Sequence, residues 1–598
     1  MLSDWSRPSK GSLVVGYLAL LIGTLAAYES PATGYELSVY AATPTLYWVS
    51  VAVALTVSLG VALTHIESPP LRDTALLLGG LSVLTVVVLP AIRGYYHYGS
   101  GDSLSHAGWT QDILAGRLEP VEMLYPGIHT MTIFARKLLG VQVGQAQIVV
   151  LAAFVAVFFL FTARCVSFLG ENRYTVPVGV FAALLLLPNN NVSVHLMAHP
   201  ITQSLLLSPL VLYLTLRYVS QSDDTPPRRP IATPVGVALV VASLALILVH
   251  PQGALSVLAV LLAIAAFQLA ARRVRPDSRV ADHRPVYVPT AVAVVAFAVW
   301  TPRHPRVQRT INTVLTRVLQ GSTPADEISQ RSGSLELLGA DIGGLFVKLF
   351  LVSAIFSFLA GVLVVALSSG ALDDRLAERN ALLSYVVVAL VTLSAAFAVF
   401  FASSMTTQHF RYVGFVMVPV TILGAMALSM GASRLRAVLG GRRVRLGLVV
   451  VFLLLFLFPL ATVHGAPFIY QPTSDVTKME LSGTDTTAEY MDREVAFAGV
   501  RSGPRRQLDA TRGTVGSERL GVTGERASIP EAVFASNVTT HYDSPRYVPV
   551  SQSTYQREVV LYDGFRYPKR GFERLRTTPG SNRVHTNGGY QLYLLTAE

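Results

Sequence analysis

The chain has 598 residues, 52% of them hydrophobic and only 14% charged, with a mean hydropathy of +0.49. A soluble chain of this size would carry about 25% charged residues, so a soluble enzyme is excluded and a polytopic membrane protein is expected. The single cysteine, Cys165, excludes a disulfide framework and a cysteine metal cluster; the net charge of +11 sits mostly in loops between apolar runs, the inside-positive bias of membrane proteins and not a nucleic-acid surface.

In chain order the apolar runs are 12–28, 45–65, 73–92, 146–168, 175–188, 202–218, 232–250, 253–271, 286–300, 343–368, 382–402, 411–430 and 446–463. Most are long enough to cross a bilayer, and together they predict about 13 transmembrane helices. The fifth is short and ends at Pro188, and the seventh and eighth are parted only by the turn His250-Pro251-Gln252-Gly253. A weakly basic start (Arg7, Lys10) precedes the first run, as in a signal peptide. No small-residue cleavage site follows it and further spans do, so a retained helix is expected.

With the N-terminus in the cytoplasm and the spans alternating, the dense arginine clusters all fall inside: Arg228–Arg229, Arg272–Arg273 with Arg275 and Arg279, and Arg434, Arg436, Arg442, Arg443 and Arg445. The loop at 93–145, the stretches Pro302–Asp341 and Ser403–Arg411, and the tail after His464 then lie outside. The expected fold class is mainly α: a transmembrane part over 1–463, amphipathic outer-loop helices, and a small extracytoplasmic C-terminal domain over 464–598 with some β structure. Strand-like pieces in that tail are Val559–Tyr562, Val584–Thr586 and Tyr590–Leu595. The last two flank Asn587-Gly588-Gly589, a hairpin signal. Ser502–Ser528, rich in Gly, Arg and Thr, reads as loose. Acceptor triplets for N-glycosylation at Asn191 and Asn537 both fall on the outer side.

The stretch Tyr95–Gly140 is the main candidate for chemistry. A helix starting near Asp102 places Asp102, His106, Trp109 and Ile113 on one side, and Gly116 would end it. Its apolar residues Trp109, Ile113 and Leu114 would lay it on the membrane surface. Asp102 and His106 would stand together near the boundary, where partial desolvation tunes a carboxylate or imidazole for proton transfer. Two roles remain open for Asp102, a helix N-cap or a base. By spacing, Asp102 and His106 could also hold a divalent metal, but two ligands are fewer than a site needs. Downstream, Leu124-Tyr125-Pro126-Gly127-Ile128-His129 forms a turn or helix start, followed by an apolar stripe.

The remaining polar candidates on the outer side are His195, His199, His250, His409 and Arg411. An arginine at the interface can hold a lipid phosphate by charge-assisted hydrogen bonds, or simply anchor the helix beside Phe410 and Tyr412. Before Pro251, His250 reads as a turn residue. No Gly-rich nucleotide loop precedes a helix on the cytoplasmic side.

The pattern Asp-x-x-x-His-x-x-x-x-x-Asp-x-x-x-Gly from Asp102, the turn Tyr125-Pro126-Gly127-x-His129 and the helix ending Leu138-Leu139-Gly140 resemble the GT-C integral-membrane glycosyltransferases, in their protein-mannosyltransferase-like branch. The ending from Asn582 to Tyr593 is similar to the C-terminal strand pair of outer domains in archaeal members. The resemblance implies a hexosyltransferase moving one sugar, with mannose favoured, from a dolichyl-phosphate carrier to a cell-surface glycan or glycoprotein at the outer face. It implies Asp102 as the catalytic acid, with His106, Tyr125 and His129 as neighbours in the matching loop. Arg411 and Arg93, with His409 nearby, would hold the donor phosphate. The expected partners are thus the lipid-linked donor, the glycan acceptor and membrane lipid, without nucleic acid. Three features depart from the family: the acidic loop follows the third run instead of the first, Ser103 stands where a second acid is usual, and the Trp-Trp-Asp signature of oligosaccharyltransferases is absent.

A transporter or flippase of lipid-linked oligosaccharide is the competing reading. It predicts repeats and charges near the bilayer midplane. No repeat is visible, and Lys348 is the main charge inside a run.

Overall fold

A computed structural model describes residues 7–221, 233–304, 341–372, 377–402 and 408–596, with isolated positions between 307 and 316. The predicted outer stretch 302–341 and the region 403–407 lie largely outside the described residues.

Every predicted apolar run falls on a helix: Arg7–Tyr28, Thr45–Thr64, Pro69–Val87, Val143–Leu169, Thr175–Leu184, Pro200–Val219, Pro234–Val249, Pro251–Val274, Tyr287–Trp300, Ile342–Ser368, Ala377–Ala402, Gln408–Leu439 and Gly441–Ala461. Among the described residues, nine of these are long and apolar enough to cross a membrane. Thr175–Leu184 and Pro234–Val249 are apolar but shorter. Several helices open on a proline in the first turn, at Pro69, Pro200, Pro234 and Pro251, where the missing N–H costs no hydrogen bond. One continuous apolar core runs from Leu13 to Val463, and leucine, valine and phenylalanine side chains such as Leu18, Phe358 and Leu454 remain exposed around it, as a bundle facing lipid requires.

The bundle has two poles of different character. At one, Ser9 Oγ meets His65 Nε2 at 2.6 Å, Arg173 pairs with Glu67, and His283 Nε2 lies 3.1 Å from Glu378. At the other, Trp300 Nε1 donates to the Leu124 carbonyl (2.8 Å), Asn189 Nδ2 to that of Thr462 (3.2 Å), and Lys348 Nζ to that of Phe468 (2.9 Å). Residues predicted for the outer loops and for the tail therefore meet at one pole. Asn191 is buried there and its amide donates to Thr462, which removes it as a glycan acceptor; Asn537 is exposed.

The tail is stitched to the loop after Val87. Strand β1 (His97–Tyr98) pairs antiparallel with β2 (Asp475–Val476). Beyond them, β3 (Ala496–Phe497), β4 (Arg546–Ser551), β5 (Ser581–Thr586) and β6 (Tyr590–Leu595) form a sheet in the order β3-β4-β6-β5. The β5–β6 hairpin turns through Asn587-Gly588-Gly589 as the sequence predicts, with Asn587 Oδ1 accepting from the Tyr590 amide at 3.0 Å.

Two tail expectations need correction. Val559–Tyr562 is not a strand. Gln556–Leu561 is helical, and the fully buried Glu558 within it takes Arg501 at 2.8 Å and Arg557 at 2.9 Å. That buried carboxylate fixes the segment by its partners, which alternation of apolar residues cannot reveal. Ser502–Ser528 is not loose throughout either: it holds the helices Arg505–Arg512 and Thr514–Arg519.

Candidate active site

The loop after Val87 folds into two helices, Asp102–Leu114 and Gly127–Leu139. The first begins at Gly101, whose φ of 60° favours glycine, and Asp102 is the first helical residue. Asp102 is thus not the N-cap, and its side chain makes no capping hydrogen bond. The second helix ends on Gly140 in the left-handed conformation.

The Asp102–Leu114 helix does not lie flat on a membrane face. Eight of its residues, from Ser103 to Asp112, are buried. The Arg505–Arg512 helix of the tail packs across it at Gly108, where a Cβ would come within 2.3 Å of the Asp509 carbonyl. Polar contacts line this crossing. Ser105 Oγ donates to Asp509 Oδ2 (2.5 Å), Arg506 Nη1 donates to Ser105 Oγ (2.7 Å), and Arg506 Nη2 pairs with Asp102. Asp112, fully buried, binds Arg117 Nε at 2.8 Å and the Val515 amide at 2.9 Å. The Asp102 carboxylate remains 54% exposed, held on one side and open on the other.

Three predicted residues come together behind Asp102. His106 Nδ1 and His129 Nε2 are 3.1 Å apart, so one ring donates to the other and the two facing nitrogens hold a single proton between them. Tyr125 lies against both, with ring centroids 6.0 and 6.4 Å away, and also against His250 at 5.3 Å. Trp109 packs on this group, 5.1 Å from His106 and 5.7 Å from His129, instead of facing lipid. Burial holds His106 well below the usual imidazole range, helped by the nearby His129, His199, His250 and Arg506. Burial likewise lowers His129 to about 3. These imidazoles are neutral at physiological pH, suited to hydrogen-bonding a hydroxyl and unsuited to holding an anion.

Arg411 supplies the cation. Its Nη1 donates to Gln252 Oε1 at 3.1 Å, in the turn where His250 Nδ1 accepts from the Gln252 amide at 3.2 Å. His195, His199, His250, Tyr125 and Asp102 all lie within its electrostatic range. The chain thus brings together Asp102, His106, Tyr125, His129 and Arg411, with His250 and Gln252 added.

His409 and Arg93 are engaged by other groups. The His409 ring packs among Phe397, Phe401 and Phe410, with centroids 6.5, 5.5 and 4.4 Å away. Arg93 is buried, gripping both Glu36 carboxylate oxygens and donating to the Ser30 carbonyl at 3.0 Å. Tyr95 donates to the same carboxylate. With its fork filled by Glu36, Arg93 would have to give up that pair to meet a phosphate. No group of three or more His, Cys, Asp or Glu among the described residues is arranged to hold a metal.

Sequence reasoning missed Arg506, Ser105 and Asp509. The only signal was the spacing of Arg505, Leu508, Asp509 and Arg512, which fits one helix face within a segment whose composition suggests looseness.

No family model matches the sequence, and no curated protein matches it. Among solved structures, the chain is similar to ArnT from Cupriavidus metallidurans bound to undecaprenyl phosphate. The two share 14% identity over 89% of this chain and 99% of that one, with a TM-score of 0.49. It is also similar to the Archaeoglobus fulgidus oligosaccharyltransferase tethered with an acceptor peptide. That match has 12% identity over 86% of this chain and 74% of that one, with a TM-score of 0.44.

Proposed function

We propose that this chain is a GT-C-type membrane glycosyltransferase. It moves a single hexose, mannose in the favoured form, from a dolichyl-phosphate carrier to a cell-surface glycan or glycoprotein at the outer membrane face. The observation that carries the reading is the placement of Asp102. An exposed carboxylate is fixed from behind by Arg506 and lies within electrostatic range of Arg411, beside neutral imidazoles, at the pole where loop and tail meet.

In this reading the donor lipid lies against the apolar helices, and Arg411 receives its phosphate. Asp102 takes the proton of the acceptor hydroxyl. The oxygen attacks the anomeric carbon, and the bond from that carbon to the phosphate oxygen breaks. The leaving polyprenyl phosphate keeps the electron pair and needs no protonation, so one base is sufficient. A single displacement inverts the anomeric centre. His106 and His129 hold a sugar or acceptor hydroxyl in line. The N-terminus is cytoplasmic, and the tail faces outward with the site.

The test is transfer by purified protein from a dolichyl-phosphate mannose donor to a soluble mannoside. Asp102→Asn is expected to reduce turnover by about 10²–10⁴-fold, the usual contribution of a general base, with unchanged melting temperature. Full activity in that variant removes the carboxylate from the reaction. An absence of transfer by the wild type from any polyprenyl-phosphate sugar removes the reading itself.

A further inference from the structure

A cavity of about 340 Å³ lies between the loop and the tail, lined by Gly101, the residue before Asp102, and by Arg506, its ion-pair partner. Ser100, Asp475, Glu480, Gln507, Ser553 and Arg557 are among the residues lining it, and Arg506, the partner of Asp102, forms part of its wall. Its size falls within the range of small-molecule sites, about 300–1,000 Å³. None of these side chains was singled out by the sequence, and only Arg506 belongs to the site described above.

The chemistry of the lining selects the ligand. Both arginines of the lining are already ion-paired within the protein. Glu480 accepts from Gln507 Nε2 at 2.9 Å and from Ser553 Oγ at 2.8 Å; Arg557 is held by Glu558 at 2.9 Å; Arg506 is held by Asp102 and Ser105. A free anion would have to displace one of these carboxylates to reach a guanidinium. Asp475 is buried, and burial, with Glu36 and Glu480 nearby, pushes it up to about 8, so that at neutral pH it presents a carboxylic O–H. What the cavity offers a visitor is therefore a set of fixed donors and acceptors: carboxyl, carboxylate, hydroxyl and amide. The Tyr35 and Tyr590 side chains add aromatic wall. Alternating donors and acceptors beside aromatic rings match a polyhydroxylated ring, whose hydroxyls both donate and accept.

We propose that this cavity is a saccharide subsite, which binds a neutral, hydroxyl-rich sugar unit of the acceptor and delivers its terminal hydroxyl to Asp102. The assignment rests on the transferase reading for its role but not for its existence, because binding can be measured without turnover.

The experiment is isothermal titration of the purified full-length protein with mannotriose, maltotriose and chitotriose, with inorganic phosphate and glucuronate as charged comparators. At least one neutral trisaccharide is expected to bind, and neither charged probe is. Gln507→Ala and Ser553→Ala should each weaken that binding about tenfold, while Ser553→Trp, which fills the cavity, should abolish it. Asp102→Asn should leave it within about twofold. The alanine variants decide the matter if the tryptophan variant fails to fold. Absence of binding by all three trisaccharides, or binding unchanged in folded Gln507→Ala and Ser553→Ala proteins, overturns the subsite. Binding that responds to these variants in a protein without transfer activity upholds the subsite and rejects the transferase reading. Transfer with acceptor KM unaffected by the variants does the reverse.

Discussion

The Asp102 carboxylate is ion-paired to Arg506, a residue 404 positions further along the chain. The same guanidinium reaches Ser105, so one planar fork grips the first turn of the loop helix at two points. In the proposed reaction Arg506 is a positioning residue. Arg506→Gln should lower kcat by about tenfold to a hundredfold, in line with the loss caused by misplacing a reacting group, and leave the donor KM unchanged. Arg506→Lys should recover only part of the rate, since an ammonium replaces a fork with a point charge. Steady-state kinetics on the three proteins decides this, and an unchanged kcat in the glutamine variant would sink it.

The crossing of the two helices at Gly108 allows no side chain. Gly108→Ala puts a methyl group against the Asp509 carbonyl backbone, which cannot swing aside as a side chain would. Overpacking of this kind costs about 1–3 kcal/mol. The melting temperature should fall, and activity should fall with it because Arg506 sits on the displaced helix. A variant with native stability and native rate would mean that the two helices are not in contact in the folded protein.

Arg93 and Arg411 should separate cleanly by mutation. Glu36→Gln leaves the buried Arg93 facing a neutral amide, and breaking a buried pair costs about 3–5 kcal/mol. Thermal unfolding should register that loss while the donor KM of the surviving enzyme stays put. Arg411→Gln should do the opposite, raising the donor KM by about tenfold, equivalent to about 1.4 kcal/mol of binding, with little change in melting temperature. A raised donor KM in Glu36→Gln protein would return Arg93 to the phosphate site.

Stability should depend on pH through Asp475. In the folded protein this acid sits at about 8, against about 3.9 for a free aspartate. The folded state therefore holds a proton that the unfolded chain releases, so the stabilisation is complete below about pH 4 and is lost as the pH rises through 8. Asp475→Asn removes this dependence. The variant's melting temperature, measured from pH 5 to 9, should rise relative to the wild type as pH increases. The buried imidazoles act on the opposite flank: His129 at about 3 and His97 at about 4 make the folded state lose stability as pH falls below about 6.5. Parallel wild-type and variant curves across the whole range would contradict the assignment to Asp475.

The sequence makes the local features of this fold readable. Apolar length locates the helices, because each must bury its own backbone polar groups in a medium that cannot. The start at Asp102, the stop before Gly116 and the Asn587-Gly588-Gly589 hairpin are written in a few adjacent residues. Contacts between distant segments are not. Arg93 looks like an interfacial cation until Glu36 is placed beside it, and His250 looks like a turn residue until Tyr125 is found against it. The Arg505–Arg512 helix escapes because its identity depends on a carboxylate and a glycine far upstream. Composition alone made its surroundings look unstructured.

Strand β1 finds its partner in β2, and the loop helix finds its clamp in the Arg505–Arg512 helix. Asp102 is therefore translated 404 residues before the arginine that holds it. Until the Arg505–Arg512 segment is made and docks, the loop helix waits without the guanidinium that grips its first turn. This contact can form only after the apolar helices that lie between the two residues in the sequence have been synthesised.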